Sequence, residues 1–124
     1  MTKIIKSPIR IQAAGTPPKS IEEFIGRLAS ATPALSVARM VSPPGWSEPG
    51  QTPDFDEFTV VLRGHLRVET HDGISDVFAG QAVVAPRGEW VRYSTPSGGG
   101  AEYLAVCLPA YSPAAAHRDG SDAA

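Results

Sequence analysis

The sequence predicts a single all-β domain, a sandwich or a barrel. Three observations carry this. From residue 34 onward apolar residues recur with a period of two, the period of a strand with one buried face. Gly and Pro, twelve of each in 124 residues, are spread along the chain and cut it into short segments. Hydrophobic residues make up 42% and charged residues 19%, enough apolar material for a core at a length suited to one domain.

Residues 4–11 alternate weakly and suggest an edge strand, because Pro8 cannot donate to a central ladder. Pro17 and Pro18 end it. Ser20 and Glu23 have the spacing of a capping box, which predicts a short N-terminal helix over 20–29 with Ile21, Phe24, Ile25 and Leu28 on one face. In 35–41, Leu35, Val37, Arg39 and Val41 share a strand face. Residues 58–62 form a strongly β-forming run, and Leu66 and Val68 alternate with His65 and Arg67. A turn at 71–73 and short strands over 76–78, 82–85, 90–94 and 102–108 complete the series. Beyond residue 111 the composition changes to Ala, Ser, Asp and Gly. The expected organisation is an edge strand and helix over 1–33, a barrel over 34–111 and a flexible tail over 112–124.

Composition excludes several functions. Eleven Lys and Arg against thirteen Asp and Glu give a net charge of −2 without a basic tract, so a nucleic-acid platform is not expected. No apolar run approaches the roughly 20 residues that span a bilayer. The opening MTKIIKSPIR lacks the pattern of a secretory signal, so a cytoplasmic protein without a membrane partner is expected. The single cysteine, Cys107, lies in an apolar run and reads as a small buried hydrophobe.

Two spaced motifs follow. Gly45, Gln51, Pro53, Glu57 and Gly64 fall in the register of G-x5-H-x-H-x3-E-x6-G. Gly80, Pro86, Gly88, Val91 and Thr95 fall in that of G-x5-P-x-G-x2-H-x3-N, fifteen residues beyond the first. Together they resemble the paired motifs of small single-domain cupins. The strings DEFTVVLRGHLRV, PRGEWVRYSTP and AEYLAVCLPAYSP also resemble the cupin domain of ethanolamine-utilisation Q-type proteins. The resemblance implies a double-stranded β-helix, or jelly-roll barrel, with the short helix at its N-terminus.

In metal-binding cupins three histidines and a glutamate hold the ion. Here those positions are Gln51, Pro53, Glu57 and Val91, of which only Glu57 is a strong ligand, so neither metal nor cofactor is expected. His65, His71 and His117 read as surface residues. Glu48, Asp54 and Asp56 crowd the loop before Glu57, as a solvated acidic loop or as oxygen ligands for a hard cation. Parity puts Glu57, Thr59 and Val61 on one face, and Val91, Tyr93 and Thr95 on another. If the apolar face of 35–41 points inward, Arg39 enters the barrel and meets Glu57 or a ligand oxyanion. The parity of Tyr103 is open.

The expected function is binding of an oxygen-bearing or anionic small molecule, without a transition metal, by Arg39, Trp46, Gln51, Glu57, Trp90, Val91 and Tyr93. An alternative is an isomerase, cyclase or lyase with Glu57 as general acid or base and Tyr93 as hydrogen-bond donor. A metal-dependent oxygenase is the third reading, disfavoured by the missing histidines. The resemblance to small cupins implies a homodimer paired through edge strands and N-terminal segments, and an unpaired strand edge is otherwise a liability.

Overall fold

The computed structural model describes residues 1–96 and 98–120. Within them the order is β1 (Ile9–Ile11), β2 (Ser20–Ile25), β3 (Ser36–Ser42), β4 (Trp46–Ser47), β5 (Asp56–Thr70), β6 (Gly73–Phe78), β7 (Ala82–Ala85), β8 (Val91–Thr95), β9 (Ala101–Leu108) and α1 (Pro113–Ala116). The main path of neighbours runs β1-β2-β3-β9-β5-β8-β4, with β6 and β7 also paired to β5.

The fold turns on β5. Its first half pairs with β7 and β9, where Glu57 opposes Ala85 and Cys107. Its second half pairs with β6 and β8, where Val68 opposes Ser75 and Tyr93. The change falls at a register shift between Val61 and Arg63, beside Gly64 at φ 74°. A side chain at Gly64 would meet the Gly100 carbonyl, so only glycine fits the corner. The shift also resets parity. Glu57, Thr59 and Val61 are buried before it, and Leu66 and Val68 after it. Unshifted pairing would turn Leu66 and Val68 out to water.

Trp46, Val61, Leu66, Val68, Val91, Tyr93 and Tyr103 are central to the main core cluster. A smaller cluster joins Phe55, Cys107 and Ala116. Inward positions of β8 are Val91, Tyr93 and Thr95, as parity indicates.

Three expectations are corrected. Residues 20–25 form β2, not a helix. SIEEFI also reads with period two, and in the fold it bonds on both sides, to β1 and β3. Two ladders outweigh a local capping signal. Glu23 does not close a capping box; its carboxylate accepts from the amides of Leu28 (3.0 Å) and Ala29 (2.9 Å), shaping the turn after β2. Glu23→Ala leaves those donors without their acceptor and is expected to cost about 1–3 kcal/mol in urea unfolding. Glu23→Gln, which keeps one carbonyl oxygen, will cost less.

Arg39 is not in the barrel. Ser36, Ala38, Met40 and Ser42 face inward on β3, and Arg39 lies on the outer face between Glu22 and Glu102, 2.8 Å from each. Alternation defines two faces without saying which is inside, and here the interior face is the more polar one. Finally, residues 112–120 are not a loose tail. Ser112 caps α1, Ala116 is fully buried, and the segment bonds along the 50–54 loop. Residues 121–124 of the expected tail lie outside the described residues. Among the described residues no helix is long and apolar enough to cross a membrane.

Candidate functional site

The barrel encloses a cavity of about 40 Å³. Glu57 from β5 and Tyr93 from β8 line it, with Cys107 from β9 and Gln51 from the loop after β4. Thr59, Tyr103 and Phe55 add to the wall. A space of this size holds a few water-sized groups.

Glu57 is buried, and Tyr93 Oη donates to its Oε1 at 3.1 Å while Cys107 Sγ donates to Oε2 at 3.8 Å. Burial, followed by the nearby Glu48 carboxyl, raises the Glu57 pKa; Tyr93, Lys19 and Cys107 oppose this without cancelling it. Burial first, and Glu57 second, push the Tyr93 phenol well above its ordinary range, so it stays a donor. Burial also pushes the Cys107 thiol up, away from thiolate chemistry. The expected small buried cysteine is found, beside the central acid.

Lys19, like Arg118, lines the cavity and is a residue that sequence reasoning missed. It follows two prolines and looks like a loop cation, yet its side chain is only 5% exposed. Nζ lies 4.1 Å from the Trp46 ring centroid, donates to Tyr103 Oη at 3.3 Å and is 4.0 Å from Glu48 Oε2. Burial pulls its pKa down, but Tyr103 and Glu48 together outweigh that and hold the ammonium charged. Burial raises Glu48 against the pull of Lys19 and Arg118. Tyr103 points inward and shares a 2.8 Å hydrogen bond with Ser42.

Of the expected site residues, the fold brings Gln51, Glu57 and Tyr93 to the cavity wall. Trp46 is fully buried in the core and acts on the site through Lys19. Val91 is core as well, its backbone paired with Gln51. Trp90 covers Gly50 outside the cavity, donates to Asp119 Oδ2 at 2.7 Å and stacks on His71. The four carboxyls before and at Glu57 do not converge. Asp54 pairs with His117 at 2.6 Å and Asp56 with Arg87 at 3.3 Å, while Glu48 and Glu57 face the cavity. Among the described residues no three His, Cys, Asp or Glu side chains gather as a metal site. Pro53 and Val91 supply no donor, so the side chains at the four motif positions do not fit the histidine-based centre.

No family model matches the chain. It is 44% identical over 101 residues to the protein named endoribonuclease YbeY of Myxococcus xanthus, a match covering 82% of this chain and 34% of that protein. The chain thus spans about a third of the length of the curated relative it matches. Among solved structures it is similar to the polyketide cyclase RemF of Streptomyces resistomycificus, with TM-score 0.69 and 20% identity over 87% of this chain and 79% of that one. A putative ethanolamine utilization protein Q of Salmonella typhimurium superposes with TM-score 0.66 and 17% identity, over 84% and 97%. A predicted oxalate decarboxylase of Thermotoga maritima gives 0.71 and 22%, over 86% and 99%. These likenesses are of fold. The chain has the cupin fold, an antiparallel jelly-roll barrel with carboxyl, phenol and ammonium groups around its cavity.

Proposed function

We propose that this barrel binds a small oxygen-bearing metabolite beside Glu57, without a transition metal. One observation carries the reading: a buried carboxyl with a raised pKa opens onto an interior cavity and is steadied by Tyr93, where a purely structural core would hold apolar side chains. Gln51 and Thr59 add neutral polar groups to the same wall, which suits recognition of carbonyl or hydroxyl oxygens. The test is protein NMR with acetamide, acetone and ethanol as probes. Shifts centred on Gln51, Glu57 and Tyr93, and reduced in Tyr93→Phe, are expected. Shifts confined to surface residues would overturn the reading.

The raised Glu57 pKa also favours a second reading, acid–base catalysis next to a carbonyl: isomerisation, cyclisation or elimination. Glu57 would give or take the proton and Tyr93 would donate to the developing oxyanion. In that reading Glu57→Gln loses turnover and keeps the fold. The Myxococcus xanthus protein named endoribonuclease YbeY is a much longer chain, of which this domain matches about a third.

We also propose a homodimer through the outer face of β5, β7 and β9. Phe58, Val60 and Val84 are exposed there, 38%, 43% and 60%, with Leu108 at the same face. Apolar side chains of this kind favour a protein partner, and a face without charge at its centre meets a second copy of itself without like-charge repulsion. Light scattering is expected to give twice the 13.0 kDa of one chain, and Val60→Lys to give a monomer. A monomeric parent protein would refute this.

A further inference from the structure

We infer that the metabolite carries a carboxylate and that Arg118, on the C-terminal strap, is the residue that selects it; this rests on the cavity reading above. The strap, residues 112–120, lies along the 50–54 loop. The Thr52 amide donates to the His117 carbonyl, the Asp54 amide to the Ala115 carbonyl and the Asp119 amide to the Gly50 carbonyl. Arg118 pairs with Gln51 through the backbone, and its side chain turns in to line the cavity. Nη2 donates to Tyr111 Oη at 3.2 Å. Nε is buried with no hydrogen-bond partner, the one such side-chain nitrogen or oxygen among the described residues.

A buried N–H without an acceptor is costly, and folded proteins keep few of them. The charges nearby do not supply one. Glu48 lies closest to Lys19, and Glu23 is engaged by two backbone amides. Glu57 is pushed toward its neutral form by burial. Arg118 is in no ion pair among the described residues. A guanidinium that lines a cavity, lies 5.8 Å from the Tyr111 ring centroid and keeps one buried N–H unpaired suits a planar oxyanion, and a carboxylate is the smallest organic group that supplies one.

The experiment is calorimetric titration at pH 7 and constant ionic strength. Acetate and propionate are compared with acetamide and propionamide, probes of equal shape without the charge. The carboxylates are expected to bind at least tenfold more tightly. Arg118→Gln, checked for fold by circular dichroism, should bring that ratio near one, while Arg39→Gln on the outer face should leave it unchanged. Should the glutamine variant fail to fold, Arg118→Lys, which keeps the charge but loses the planar fork, must reduce the ratio severalfold. An unchanged ratio in the folded Arg118 variant overturns the inference. Amides binding as well as carboxylates overturn it too, but leave the cavity reading standing. If neither series binds, both fall.

Discussion

Trp46→Ala is expected to lower the unfolding free energy by about 3–5 kcal/mol, the range for truncating a large buried aromatic. The indole is fully buried and touches three parts of the chain. It lies on β4, whose two residues pair with Thr95 and Ser94. Its Nε1 donates to the Ala14 carbonyl at 3.4 Å, and its face carries the Lys19 ammonium. Truncation therefore opens a void and removes the surface that holds Lys19 near Glu48. A buried ion pair that loses its support leaves charge poorly compensated, which adds to the cost. Trp46→Phe, which restores most of the volume and an aromatic face, will recover much of the loss. Urea unfolding followed by circular dichroism reads both variants. A change below 1 kcal/mol for the alanine variant would mean that the β4 region contributes little to the folded state.

The second large effect is a dependence of stability on pH set by Glu57. Its pKa is raised in the folded state, mainly by burial and then by Glu48. Above the unfolded value of about 4.5 the unfolded chain has released this proton while the folded chain still holds it. The folded state then binds more protons, so stability falls as pH rises, by up to about 1.4 kcal/mol per pH unit, until the folded group ionises. Glu48, also raised by burial, adds in the same direction. Asp56, Asp76 and Glu102 act oppositely at lower pH. Their pKa values are lowered by hydrogen bonds to Arg87, Arg67 and Arg39, so stability is lost there as pH falls through them. Maximum stability is therefore expected near pH 4 to 5. Glu57→Gln removes one source of the slope above that range and will be more stable than the parent at pH 8. Urea midpoints measured from pH 4 to 9 check this. A variant with the parent's slope would show that Glu57 is ionised in the folded protein.

Much of the barrel was legible because alternation and turn chemistry are local. The inward positions of Glu57, Thr59, Tyr93 and Thr95 follow from period two once β5 and β8 are recognised. The helix expected over 20–29 failed because Ser20 and Glu23 satisfy a helical and an extended pattern equally well. The ladders from β1 and β3, which decide between them, come from residues remote in sequence. Arg39 failed for a related reason: a strand's two faces can be separated from its sequence, but the neighbour each one meets cannot. No local signal marked Lys19 or Arg118. One follows a proline pair and the other lies in a stretch whose composition suggests a tail.

From the order of residues alone, then, came the all-β class, the spacing of the two motifs, the missing imidazoles and the acid at position 57. Tertiary structure alone decided which charges face the cavity, admitting Lys19 and Arg118 and turning Arg39 and Asp56 outward. Hydrogen-bond and side-chain periodicity act within a strand, whereas burial of a charge depends on which distant strands and loops close over it.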